Sequence, residues 1–306
     1  MTGFLALLAT GLAILWLLGV VSTAWRLTHP NRRTYAYMLR RGLPGDPSEL
    51  PGEPRAFTQW ALTSRGRELP VWEFTGDNTE GPVAILTHGW GNSRYDALLR
   101  LEPFLARCSR IIAWDQPGHG DAPGTCDLGV GEAQDLAALI DRVDTDRIVL
   151  FGWSLGAGVS VAAGALKPGK VVAVLAQAPY RLAYTPAKGV LKESALPWRA
   201  TLWPAMVHIG LIRRRKLTWA GEWDDFDRAV YAGKLAAPLL VIHGEEDRVC
   251  PLEDGREIAE AAPNGRLVVL PGSPHNGLWA NAETKATLER EIGAFLDTVL
   301  LGPDGP

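Results

Sequence analysis

Six short apolar runs recur through the chain: Val83–Thr87, Ile111–Trp114, Ile148–Phe151, Val171–Ala176, Leu239–Ile242 and Leu267–Leu270. Each has the length of a strand buried on both faces and is bounded by turn formers. Helical spacing lies between and after them. Ala133, Leu136, Ile140 and Val143 form one apolar stripe, Ala157 to Leu166 is a run of small residues, and Leu288, Ile292, Phe295, Leu296 and Val299 form a closing amphipathic helix. Strands alternating with helices require right-handed crossovers, so the expected class is α/β, a mostly parallel sheet with helices on both faces. Two further strands, Thr58–Leu62 and Leu69–Phe74, flank a Ser64-Arg65-Gly66 turn ahead of this series.

One stretch breaks the rhythm. About 60 residues separate the strand ending near Ala178 from the one beginning at Leu239, far more than an ordinary connection. They hold Trp198, Trp203, Met206, Trp219 and Trp223 and the basic run Arg213-Arg214-Arg215-Lys216. This composition predicts a helical cap, at about residues 180–236, inserted over one end of the sheet.

The N-terminus has a different character. Thr2 to Trp25 is a run of 24 residues without a charge. As a helix it spans about 36 Å, against about 30 Å of bilayer hydrocarbon. Ser22-Thr23-Ala24 would suit signal-peptide cleavage, which implies a secreted product. However, no basic residue precedes the run and its apolar core exceeds that of a signal peptide. The expectation is one uncleaved transmembrane helix over residues 1–25. Residues 1–41 contain five arginines (Arg26, Arg32, Arg33, Arg40 and Arg41) and no acid, whereas the rest holds 26 basic and 34 acidic residues. The overall charge of −3 therefore conceals a basic collar on an acidic body. The collar places the N-terminus outside and the body in the cytoplasm by the positive-inside rule. Residues 26–54 are expected to be a basic juxtamembrane segment and linker. From Gly42 to Pro54 the chain is so rich in Pro and Gly that it should be extended rather than helical. The soluble domain is then 55–306. An acidic body excludes a general nucleic-acid binder. Three dispersed cysteines, Cys108, Cys126 and Cys250, exclude a disulfide framework or zinc cluster. Oligomeric state has no signature here.

Chemistry concentrates where strands end. Gly152-Trp153-Ser154-Leu155-Gly156 lies at the junction of a buried strand and a small-residue helix. A serine there sits on a tight elbow, its hydroxyl thrust out of the sheet and the helix N-terminus aimed at developing negative charge. The motif alone is also compatible with a glycine-rich turn holding an incidental serine. A nucleophilic serine needs a base, and the base needs an orienting acid. His275 lies in a loop just after Leu267–Leu270, and Asp247 in the loop after the preceding strand. Both loops open on the edge that carries Ser154, where open α/β sheets place their sites. The chain order Ser, Asp, His matches a nucleophile-elbow hydrolase.

These residues, with His88-Gly89-Trp90-Gly91 and Asp115-Gln116-Pro117-Gly118-His119-Gly120, make the sequence resemble the α/β-hydrolase superfamily from about Phe57 to Leu300. The resemblance implies Ser154 as nucleophile, His275 as general base and then acid, and Asp247 as orienting acid. It implies the amides of Trp90 and Leu155 as oxyanion hole. Glu245 and Glu246 are rival acids, but the family's spacing after His243-Gly244 favours Asp247. One departure is Asp121 after Gly120, where relatives often place a serine. The remaining histidines read as structural: His88 and His119 brace loops, His243 ends a strand, His208 lies in the cap and His29 beside the membrane. No metal and no cofactor are expected.

The implied reaction is hydrolysis of a carboxylic ester through an acyl-enzyme. Trp153, Trp203 and Trp279 are candidate substrate contacts that would suit a lipid-like or aromatic acyl group. A serine peptidase or amidase, or an acyltransferase, would use the same machinery. A non-catalytic membrane-anchored interaction protein is the reading from another class, and the intact Ser-Asp-His set argues against it.

Overall fold

The computed structural model describes residues 1–50, 55–193, 197–218, 223 and 225–301. An eight-stranded sheet runs β1 (Phe57–Ser64), β2 (Arg67–Thr75), β3 (Val83–Thr87), β4 (Arg110–Trp114), β5 (Ile148–Trp153), β6 (Val171–Gln177), β7 (Leu239–Gly244) and β8 (Gly265–Leu270). In space the order is β1-β2-β4-β3-β5-β6-β7-β8. β2 pairs antiparallel with β1 and β4, and every other pairing is parallel. Arg65 and Gly66 close the β1–β2 hairpin as a two-residue turn, both with positive φ, which fits the right-handed strand twist.

Every residue of β3, β5 and β7 is buried, because helices cover both faces. The period-2 alternation assigns them. Ile85, Leu150 and Val241 join the core beneath α4 (Gly131–Arg142), α5 (Leu155–Leu166) and α9 (Leu252–Ala261). Leu86, Phe151 and Ile242 join the opposite core, beneath α3 (Glu102–Leu105) and α10 (Ala282–Leu301). The cap contains α6 (Tyr184–Glu193) and α7 (Trp198–Ile212), and the short α8 (Arg228–Ala232) returns the chain to β7. The basic run ties the cap down: Arg215 reaches Asp127 at 2.5 Å, and Arg213 lies 3.5 Å from the same carboxylate. Trp219 lies outside the described residues.

The N-terminal apolar run forms α1 (Thr2–Thr28). By length and composition it is the one described helix able to cross a bilayer, a test that a signal sequence also passes. Its last third is built into the protein. Val20, Ala24 and Leu27 are buried in one core with Leu202, Ala205, Met206 and Ile209 of α7. The Trp16 indole donates to the Ala200 carbonyl at 2.9 Å, and the Thr23 and Thr201 hydroxyls lie 2.9 Å apart. Phe4 through Leu18 keep their large side chains exposed.

The chain after α1 differs from the expected linker. It contains α2 (Tyr35–Arg40), whose Met38 is completely buried, and a single 3-10 turn at Pro47–Glu49. The turn forms inside the Pro/Gly-rich stretch because Asp46 caps it, its carboxylate accepting the Ser48 amide at 2.9 Å, and because Glu49 accepts the Gly45 amide at 2.8 Å. Pro51, Gly52 and Pro54 lie outside the described residues.

Candidate active site

β5 ends in the elbow. Ser154 has φ +53° and ψ −115°, a conformation costing a non-glycine residue about 1–3 kcal/mol. The two flanking glycines make the turn possible. A Cβ on Gly152 would lie 2.1 Å from the Gly156 carbonyl oxygen, and one on Gly156 would lie 2.0 Å from that of Thr87. The Ser154 amide donates to Gln177 of β6 at 2.9 Å, fixing the elbow to the neighbouring strand.

The three residues singled out in the sequence meet here. Ser154 Oγ lies 3.1 Å from His275 Nε2, and His275 Nδ1 lies 2.6 Å from Asp247 Oδ2. The other Asp247 oxygen accepts the amides of Val249 and Cys250 at 2.9 and 2.8 Å. His243 packs behind, its Nε2 2.8 Å from the Cys250 carbonyl and 3.5 Å from Asp247 Oδ2. Burial alone would raise the Asp247 carboxyl, but the imidazoles of His243 and His275 and the Cys250 amide outweigh it and hold the group well below the ordinary carboxylate range. The part His243 plays was missed in the sequence, where it read only as a strand end. Its closeness to Asp247 depends on the loop doubling back.

The amides of Trp90 and Leu155 face no hydrogen-bond acceptor among the described residues, and both residues line the cavity that holds Ser154. His88 and His119 do brace this edge. His88 Nε2 accepts the Gln116 amide at 3.0 Å, and the two rings lie 4.9 Å apart. Burial pushes His119 down to about 4 and His88 well below its usual value, so both are neutral supports. Asp115 accepts the amides of Arg94 and Asp121 at 2.7 and 2.9 Å and pairs with the Arg94 guanidinium. Asp121, the residue that departs from the family pattern, accepts from Arg94 at 2.9 Å and from the Tyr95 hydroxyl at 2.7 Å.

One group of metal-capable side chains exists among the described residues, Asp247, Cys250 and His275, with ligand atoms within 4.8 Å of one another. It fits a metal poorly. Asp247 and His275 are already bonded to each other, and burial pushes the Cys250 thiol well above its usual value, away from the thiolate a metal needs.

The cavity over Ser154 measures about 670 Å³. Trp153 and Trp279 line it as expected. Trp203 does not. The buried face of α7 is Leu202, Ala205, Met206 and Ile209, so Trp203, one residue on from Leu202, turns outward and is 52% exposed. Unexpectedly, the end of α1 and the segment after it form one wall: Arg26, Leu27, Asn31, Arg33, Tyr37, Arg41 and Leu43 all face the cavity. The Trp90 indole donates to the Leu27 carbonyl at 3.0 Å, and Arg33 pairs with Asp96 at 2.5 Å. Asp96 also accepts from Asn92 at 3.2 Å, and Asn92 accepts the Trp153 indole at 3.0 Å. The end of α1 is thus hydrogen-bonded to the loop that carries the Trp90 amide. A fragment comprising residues 55–306 should therefore lose at least about 10²-fold in kcat/KM against the full chain in the same detergent, since small misplacements at a reacting centre cost that much. Equal activity of the two would show that the segment is a passive tether.

A family model described as "Alpha/beta hydrolase family" matches residues 84–288. The pimeloyl-[acyl-carrier protein] methyl ester esterase of Neisseria meningitidis serogroup A is 30% identical over 254 residues, covering 72% of this chain and 78% of its own. Among solved structures, an esterase of Pyrococcus furiosus superposes with a TM-score of 0.65 at 21% identity, over 89% of this chain and 97% of that one. A bacterial membrane phospholipase A superposes with a TM-score of 0.59 at 17% identity, over 96% of this chain and 97% of that one. At 96% of this chain, that superposition cannot leave out the whole of α1, which has 27 residues.

Proposed function

Because the chain belongs to the alpha/beta hydrolase family and is an ester-hydrolysing enzyme, we propose that it is a membrane-anchored serine esterase acting on lipid-like or aromatic acyl esters. The observation that carries the catalytic assignment is the hydrogen-bonded chain from Ser154 through His275 to Asp247 at a strained elbow. His275 Nε2 takes the Ser154 proton as Oγ attacks the ester carbonyl. The oxyanion forms against the Trp90 and Leu155 amides, which have no acceptor to give up. His275 then protonates the leaving alkoxide, and water repeats the sequence on the acyl-enzyme. Asp247 holds the Nδ1 tautomer and stabilises the imidazolium.

The membrane reading draws support from both helices at the cap. Cleavage after Ala24 would remove Val20 and Ala24 from the core, Thr23 from its bond to Thr201 and Trp16 from its bond to Ala200, which supports a retained α1. Lys188, Lys192 and Arg199 surround the Trp198 ring at 5.0, 5.4 and 5.0 Å. Cations around an indole suit headgroup depth. The basic collar orients the catalytic body toward the cytoplasm.

The test is a series of acyl esters of increasing chain length, run beside a peptide panel and with added alcohol acceptors, using the full chain in detergent and in liposomes. We expect turnover to rise with chain length and with incorporation into liposomes, with water as the acyl acceptor. Equal rates on short and long esters in both settings would remove the lipid-like assignment, and preferential amide cleavage or acyl transfer would reassign the reaction.

A further inference from the structure

The catalytic cavity carries a charge that ester hydrolysis does not require. Four arginines line it, Arg26, Arg33, Arg41 and Arg100, against one carboxylate, Asp96. Asp96 is already paired with Arg33 at 2.5 Å. A topological role in the collar could explain Arg26, Arg33 and Arg41, but Arg100 lies far from the membrane segment in sequence, just ahead of α3. Two distant parts of the chain therefore deliver positive charge to one cavity.

Arg100 is the informative member. Its guanidinium lies over the Trp153 ring at 4.1 Å and within 5.5 Å of the Trp279 ring, beside the residue that precedes the nucleophile. Nη1 donates to the Asp96 carbonyl at 2.6 Å. Nε is buried and finds no acceptor, and no carboxylate comes within ion-pair distance among the described residues. Burial pushes the group down to about 10, with Asp96 only partly offsetting it. A half-buried cation whose Nε has no acceptor carries a desolvation cost that an incoming anion relieves. Arg41 is exposed at the same cavity, its guanidinium resting 5.4 Å from the Tyr37 ring. Apolar wall remains for a chain: Leu27, Leu128, Val190 and Leu278.

We propose that Arg100 and Arg41 form an anion subsite in the catalytic cavity, so that the preferred substrate is an amphiphilic ester bearing a phosphate or carboxylate on its alcohol side. The proposal rests on the serine-esterase reading and narrows its substrate class. Nη2 of Arg100, which has no hydrogen-bond partner among the described residues beside the Nη1 bond to Asp96, and the exposed Arg41 guanidinium can donate to either oxyanion.

The experiment compares three esters of one acyl chain, namely a monoacylglycerol, the corresponding lysophosphatidate and an O-acyl glycerate, hydrolysed by the full chain in neutral detergent. At least one anionic ester is expected to exceed the neutral one by about ten-fold in kcat/KM, with the advantage shrinking as salt is added. The better of the two identifies phosphate or carboxylate as the group read. Arg100→Gln and Arg41→Gln should each lower the anionic-to-neutral ratio, whereas a structural role would lower all three rates and leave the ratio intact. Calorimetric binding of hexyl phosphate against hexanol reads the subsite without turnover, and Arg100→Gln should weaken the former about ten-fold. Equal kcat/KM for all three esters in the unmodified protein, or a ratio preserved in both variants, overturns the subsite. Failure to hydrolyse any ester overturns the esterase reading instead, and equal weak binding of hexyl phosphate and hexanol then overturns the subsite as well.

Discussion

Ser154→Ala should lower kcat on any ester by about 10⁶-fold and end labelling by a fluorophosphonate. The change removes one oxygen from a site whose backbone is held by other bonds. The Ser154 amide still reaches Gln177, and the close packing of Gly152 and Gly156 is untouched. Alanine carries the same steric load as serine at φ +53°, so the fold should persist and the loss should be chemical. The check is a rate measurement with labelling on the same preparation, and circular dichroism to establish equal folding. A variant that still labels would move the nucleophile elsewhere.

Asp247→Asn should cost about 10⁴-fold in kcat, because an amide in place of Oδ2 favours the wrong imidazole tautomer. His275 Nδ1 would meet either a carbonyl that cannot stabilise the imidazolium or an NH₂ that cannot accept. The same residue makes a claim about stability. Its carboxyl is depressed in the folded protein from an ordinary value of 3.8, so its ionised form contributes stability that is fully present above that value. That contribution is lost as pH falls toward the folded value. Melting temperature should therefore drop on acidification below about pH 4 more steeply in the unmodified protein than in Asp247→Asn. Parallel curves for the two would show that other groups govern the acid limb.

The sheet was legible because its strands are short, apolar and bounded by turns. Val83–Thr87 matches β3 residue for residue, and Ile148–Phe151 falls inside β5. Helix α9 escaped notice because half of its residues are charged and its buried face is small, Gly255, Ile258 and Ala259. The meeting of Ser154, Asp247 and His275 was legible from their places after successive strands. The wall made by residues 26–43 was not. Nothing in its composition says that the Leu27 carbonyl will receive the Trp90 indole, because that contact joins residues 63 apart across a loop and a helix end. Trp203 was misread for a simpler reason. Composition placed it in the cap, but which way it points depends on the face of α7 that α1 covers.

The bond between the Trp90 indole and the end of α1 has a mechanical consequence. With α1 in a bilayer, the enzyme does not swing on a tether. Trp16 and Leu27 are eleven residues apart on one helix, a rise of about 16 Å, and both are bonded to the body, at the Ala200 carbonyl and the Trp90 indole, so the helix axis is fixed relative to the mouth of the cavity. Such an enzyme samples its own leaflet and is blind to an apposed one. Its working concentration is the mole fraction of substrate around α1, a two-dimensional quantity that diluting the suspension leaves unchanged.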